Sequence, residues 1–418
     1  MSNCPETPSA GFSEKLTRSS VVDDKPQELM SGLTQWLNRP KRPRLSVPSM
    51  WIPRRRERPE RVVVTGAAGY IGNILTERLL EMGHSVVALD RLDFGDAAIR
   101  HLLPHKRFEL VNGDLRDIDV AAQALRDADA VIHLAAVVGD PACAAHEREA
   151  IETNRQASGM LAKLSRGLGV RRIVFASTCS VYGSNPLTVD ETSELNPVSL
   201  YAETKIDAER LVLECAAPTF SPTALRIGTA FGWSRRPRFD LLVNLLTAKA
   251  RFEGRAVIFN GDRWRPFVHV KDIARGFEKA LTAPHQAIHG KVLNLGSNAG
   301  NHRLSSIADV LRRLHPQASI ALEETDDRRN YRVEFGAIER VLRFRALTSL
   351  EEGIREIDSK LAAGLVDDYR QASYHNVLWM EERRLEQADP AHDAVDLIRL
   401  QRVLADHSVA PAERTPAA

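Results

Sequence analysis

At 418 residues the chain has the length of two to three domains, and its 43% apolar content is enough for a sizeable buried core. Lys and Arg number 57 against 55 Asp and Glu, and the formal net charge of +2 gives no bulk reason to expect nucleic acid or an anionic membrane as partner. No window reaches the roughly 18 consecutive apolar residues of a membrane span, and an N-terminus carrying Glu6, Glu14, Asp23 and Asp24 reads as neither secretory signal nor transit peptide, so a cytoplasmic setting is expected.

Residues 1–60 are rich in Pro and Ser and end in a basic cluster (Arg39, Lys41, Arg42, Arg44, Arg54, Arg55, Arg56, Arg58), the composition of a tail or packing arm. Within it the spacing of Leu29, Met30, Leu33, Trp36 and Leu37 predicts one amphipathic helix. From Arg61 the texture changes to short β-branched runs, RVVVT, HSVVAL, FELV, AVIHL, RRIVFAS and TALRI. They alternate with helical stretches at 70–82, 117–127, 150–168 and 200–215. That alternation predicts an α/β fold over 61–228, a Rossmann-type doubly wound parallel sheet with helices on both faces. Residues 229–358 are more irregular, with isolated elements such as RAVIFN and KVLNLG, and are expected to form a smaller C-terminal α/β substrate domain at the carboxyl edge of the sheet. A segment of about 265–296 is expected to return to the first domain. Residues 359–418 read as a helical, charged, partly disordered extension ending in a Pro/Ala-rich tail, and no internal repeat is visible.

The first strand runs directly into Gly66-Ala67-Ala68-Gly69-Tyr70-Ile71-Gly72 and then a helix. Glycines at such a turn let backbone approach a pyrophosphate, which then sits on the helix's N-terminal amides, so Gly66, Gly69, Tyr70, Ile71 and Gly72 are assigned to a dinucleotide. Asp90 ends the second strand 18 residues after Gly72, where a carboxylate accepts hydrogen bonds from the adenosine ribose. Its charge repels a 2′-phosphate and favours NAD over NADP, while the neighbouring Arg91 points the other way. Asp114-Leu115 and Leu134-Ala135-Ala136 close the third and fourth strands at the edge where ligand crevices open, and the small residues leave room for a cofactor, with plain helix–sheet packing as the lesser alternative.

In Tyr201-Ala202-Glu203-Thr204-Lys205 a phenol and an ammonium lie one helical turn apart on one face, where the cation can bias the phenol toward its anion. In RRIVFASTCSVYG the alternation of strand side chains sends Thr178 and Ser180 to one side and Cys179 to the other, so Thr178 is a hydrogen-bond partner for a substrate's reacting oxygen and Cys179 packs behind it. The four cysteines, Cys4, Cys143, Cys179 and Cys215, contain no CxxC pair, which leaves neither a zinc site nor a disulfide framework to expect.

Taken together, TGAAGYIG, HLAA, FASTCSVYG, YAETK and RPFVHVKD resemble the motifs of extended short-chain dehydrogenase/reductases, in particular the nucleotide-sugar epimerase/dehydratase family, over about residues 61–358. The resemblance implies tightly held NAD, a nucleoside-diphosphate sugar substrate, and often a homodimer built on a helical bundle. It matches Thr178, Tyr201 and Lys205 to the family's catalytic Ser/Thr, Tyr and Lys. It matches Asn154 to an asparagine near the cofactor and Arg265 to an arginine that meets the nucleotide's phosphates. Arg329 is a second phosphate contact or a surface salt bridge.

Family dehydratases usually carry Asp-Glu directly after the threonine, and decarboxylases a Glu at the second place; Cys179 and Ser180 stand there instead. Epimerisation at C4 through a transient ketone is therefore the leading expectation, with Tyr201 as acid/base. The alternatives are a ketosugar reductase or dehydrogenase, a dehydratase, or a noncatalytic NAD-binding scaffold. LRIGTAFG departs from the family in replacing a Phe-Asn pair with Gly228 and Thr229, which puts the substrate contact at Thr229 in question and suggests an unusual hexose.

Overall fold

The computed structural model describes residues 60–325 and 329–387, so the basic arm, its amphipathic helix, Cys4 and the Pro/Ala-rich tail lie outside the described residues. Fourteen strands are described: β1 (Arg61–Thr65), β2 (Ser85–Asp90), β3 (Phe108–Asn112), β4 (Ala130–His133), β5 (Arg172–Thr178), β6 (Ser184–Val189), β7 (Ser221–Ile227), β8 (Thr229–Phe231), β9 (Arg255–Phe259), β10 (Trp264–His269), β11 (Lys291–Leu295), β12 (Asn301–Arg303), β13 (Ser319–Glu323) and β14 (Asn330–Val333). Seven of them pair in parallel in the order β11-β7-β5-β4-β1-β2-β3.

The fully buried β-branched runs explain this sheet. In β1, Val62, Val63 and Val64 are all inaccessible, because helices cover both faces. The helices Gly72–Glu81 and Val270–Thr282 pack together, and Ser158–Gly167 lies against Leu200–Leu213. The direction of winding reverses between β1 and β4, which opens a crevice at the strands' carboxyl ends.

After β7 the chain builds a second core around the helices Leu242–Glu253, Ser305–Leu314 and Leu350–Ala362, with Phe231, Phe239 and Phe267 at its centre. It also returns to the first core: β11 joins the large sheet beside β7, and Tyr331, Val333, Phe335 and Phe344 pack into the cluster that holds Val62 and Leu75. The short sheets β12-β10-β8, β13-β9 and β14-β6 complete the fold. Among the described residues no helix is long and apolar enough to cross a membrane.

Two local departures from the sequence-based expectations bear on the site. The helix expected over 150–168 opens as a π-helical stretch, Ile151–Ala157, before becoming α-helical at Ser158. The strand expected to run through Ser180 stops at Thr178, whose side chain accepts from Ser180 N (3.1 Å) and starts a 3₁₀ turn, Cys179–Tyr182.

Candidate active site

The glycine turn comes first because its geometry admits little else. Gly66 has φ +71°, and a Cβ there would stand 2.9 Å from Ala135 N; one on Gly72 would stand 2.0 Å from Gly66 O. The following helix has no side-chain cap, and of its first amides Asn73 N–H turns back to Gly69 O (3.2 Å). Tyr70 points away: its hydroxyl donates to Gly232 O (2.7 Å), and burial pushes the phenol's pKa up. Its side chain therefore braces the turn against the loop after β8, and Ile71 beside it is the helix N-cap.

Asp90 accepts from the amides of Ala68 (2.9 Å) and Leu92 (2.8 Å), which fixes its carboxylate at the end of β2, and burial raises its pKa. Arg91 turns from it to three carboxylates: Asp93 (2.5 Å), Glu149 (2.7 Å) and Asp114 (3.3 Å). Asp114 is also gripped by Arg116 at 2.7 Å, while Leu115 is buried. Asp90 and the three carboxylates around Arg91 leave this corner hostile to a 2′-phosphate, and that strengthens the reading of NAD over NADP.

The loop after β4 is held by a buried chain of hydrogen bonds that the sequence reading missed. Thr65 Oγ1 accepts from Ala135 N (3.1 Å) and meets His133 Nδ1 (2.7 Å); His133 Nε2 meets Ser158 Oγ (2.8 Å), which donates to Asn154 O (2.6 Å). Burial, with Lys205 adding to it, pulls the His133 pKa down to about 3, so the imidazole is neutral. Asn154 grips the backbone of Val137 in both directions, accepting from its N–H (2.8 Å) and donating to its carbonyl (2.9 Å). It therefore positions the loop that carries Leu134, Ala135 and Ala136.

Thr178, Tyr201 and Lys205 converge beside that loop. Helix Leu200–Leu213 is capped by Ser199, and Arg226 anchors it by pairing with Glu209 (2.6 Å) inside the core. Thr178 lies beside the Tyr201 phenol and its Oγ1 donates to Ser180 Oγ (3.1 Å), while Cys179 Sγ turns back to Arg226 O (3.2 Å). The ammonium was expected to hold the phenol toward its anion; instead, burial, seconded by Cys143, raises the Tyr201 pKa, and burial brings Lys205 down to about 8. Lys205 Nζ sits 4.8 Å from the Phe175 ring centroid.

On the far side, Arg265 is buried over the Tyr331 ring (5.6 Å) and donates to the carbonyls of Trp264 and Arg329. Arg329 forms a salt bridge with Asp140 (2.8 Å), and its backbone carbonyl accepts from Arg265. Thr229 begins β8 opposite Phe267, and Gly228 before it is fixed by space, since a Cβ there would be 2.6 Å from Pro266 O. Two further arginines went unread: Arg236, whose guanidinium lies 3.7 Å from the Phe94 ring centroid, and Arg238, buried and paired with Asp240 (2.7 Å). Their only sequence signal was a basic run, WSRRPR, next to a motif that breaks the family pattern.

A model of the NAD dependent epimerase/dehydratase family matches residues 62–296. The uncharacterized UDP-glucose epimerase YtcB of Bacillus subtilis (strain 168) is 31% identical over 312 residues, 70% of this chain and 95% of the relative. UDP-glucuronic acid decarboxylase 1 of Danio rerio is 26% identical over 310 residues, 71% of each chain. The solved structure of MoeE5 in complex with UDP-glucuronic acid and NAD superposes with a TM-score of 0.64 at 30% identity, over 72% of this chain and 99% of that one.

Proposed function

This chain belongs to the NAD dependent epimerase/dehydratase family, and we propose that the enzyme inverts C4 of a uridine-diphosphate hexose with Tyr201 as acid and base. The observation that carries the reading is the meeting of Thr178 and Tyr201 with no carboxylate at either position after the threonine. Elimination and decarboxylation in this family draw on a carboxylate there; a proton shuttle at one oxygen does not.

The glycine cradle fits the family's cofactor: Gly66 and Gly72 leave room for backbone and nothing more, and uncapped amides face the same place. Gly66, Gly69, Gly72 and those amides would hold the NAD diphosphate, Asp90 the adenosine ribose, and Leu134–Ala136 the wall beside it. When bound, NAD supplies the oxidant for a sugar alcohol and, once reduced, the reductant for the ketone.

Thr178 Oγ1 steadies the reacting oxygen. Tyr201 Oη takes the C4 hydroxyl proton and returns it after the ring has turned. Because burial raises the phenol, Tyr201 is a poor base until positive charge is brought beside it, which ties proton removal to a loaded site. Arg265 and Arg329 are assigned to the substrate diphosphate, Ser180 and Thr229 to the sugar, and the assembly to a homodimer.

The test is to incubate the purified enzyme with UDP-glucose, UDP-galactose and UDP-glucuronic acid without added NAD. C4 configuration is followed by NMR and reduced cofactor by its near-ultraviolet absorbance. Inversion without net reduced cofactor is expected, and Tyr201→Phe should lower kcat by about 10²–10⁴-fold while the protein still retains NAD. Stoichiometric consumption or production of NADH would replace this reading with a reductase or dehydrogenase, and light scattering at a single chain's mass would remove the dimer.

A further inference from the structure

Well beyond the residues the family model matches, the chain doubles back over the crevice. The helix Asn376–Gln387 reaches the loops at the carboxyl ends of three central strands. The Trp379 indole N–H donates to Asp93 O after β2, and its ring stacks on Phe94 with centroids 6.2 Å apart. Arg383 pairs with the Asp93 carboxylate. Asn376 Nδ2 donates to Val138 O (3.1 Å) after β4, and Val377 and Met380 pack on Val137, Cys143 and Ala150 beside Tyr201. Through Arg236, Asn376 also reaches the loop whose Ser234 donates to Tyr70 O (2.8 Å) in the glycine turn after β1.

Arg236 is the informative residue. It is only 7% exposed, and its Nε is buried with no hydrogen-bond partner. Its Nη2 donates to Asn376 Oδ1 (2.8 Å), its guanidinium lies over Phe94, and no carboxylate among the described residues pairs with it. Burial, with Arg238 adding to it, draws this cation down to about 9. Asp240 and Asp90 offset this only at longer range, and a buried guanidinium with no carboxylate in direct contact is costly unless a ligand anion completes it. The anion that the adjoining glycine turn is built to receive is a diphosphate.

We propose that helix Asn376–Gln387 is a wall of the dinucleotide site, in which Asn376 sets Arg236 toward the NAD diphosphate while Trp379 and Phe94 enclose the adenosine end. The inference rests on the family's use of NAD and not on which sugar is turned over.

It is tested on the full chain stripped of cofactor, with ADP-ribose and adenosine as calorimetric probes and melting curves of the ligand-free proteins alongside. Arg236→Gln is expected to weaken ADP-ribose at least tenfold, to leave adenosine unchanged, and to melt no lower than the parent, since it removes a buried charge that no carboxylate contacts directly. Asn376→Ala is expected to weaken ADP-ribose several-fold and Trp379→Ala to speed NADH release. A folded Arg236→Gln protein that binds ADP-ribose like the parent overturns the proposal. Should that variant not fold, unchanged ADP-ribose affinity in Asn376→Ala overturns it instead. A chain stopped after His375 that binds NADH more tightly also overturns it, because the helix would then be an obstacle. Absent sugar turnover with these binding losses intact would refute the epimerase reading alone.

Discussion

Lys205 is a cation held where water cannot reach it, and its position has a measurable cost. The unfolded chain keeps its proton up to about pH 10.5, whereas the folded, ligand-free protein gives it up above about 8. Between those values the unfolded state binds more protons, so stability rises with pH there, and below 8 the penalty is fully present. Ligand-free Lys205→Met is therefore expected to be more stable than the parent at neutral pH, by on the order of 3 kcal/mol. Its advantage should shrink as the pH climbs from 8 toward 10.5; denaturant titrations across that range that show a constant gap would refute the assignment. Tyr201, Lys205 and Thr178 were legible in the sequence because their relation is local: one helical turn, and one strand end. Arg236 was not, since its meaning comes from Phe94 and from Asn376, 140 residues further on.

At the scale of elements, the placement of helix Leu200–Leu213 depends on one buried ion pair. Glu209 accepts from Arg226 Nε (3.1 Å) and Nη2 (2.6 Å), and Arg226 Nη1 also donates to Tyr182 Oη (3.0 Å), so helix, β7 and the 3₁₀ turn after Thr178 share one joint. Glu209→Ala leaves the guanidinium uncompensated and is expected to cost about 3–5 kcal/mol in urea unfolding. The strands and helices of the first domain were readable because β-branched runs and helical spacing recur there with turn residues between them. The π-helical stretch was not readable. It accompanies the bonds of Asn154 to Val137 and of Ser158 to His133, and neither partner is visible from within the helix's own sequence.

For the molecule as a whole, sheet and site are assembled from distant parts of the chain. β11 completes the central sheet, and Tyr331, Val333, Phe335 and Phe344 fill the core beneath it, so a chain ended at Gly296, where the family match stops, lacks part of its own interior. That shortened chain is expected to show no cooperative thermal transition, against a single sharp one for the full protein; a cooperative melt would refute this dependence. Fold class was legible from alternation alone, but the closing of the crevice by Asn376–Gln387 was not, because a charged amphipathic helix gives no sign of the surface it covers. The contacts of that helix also impose an order on biosynthesis. Asn376 leaves the ribosome roughly 170 residues after Lys205, about 9–34 s later at ordinary elongation rates. The residues of the glycine turn and of the Tyr201–Lys205 pair are thus synthesised well before the helix that covers them, and the proposed wall is the last part of the site to be made.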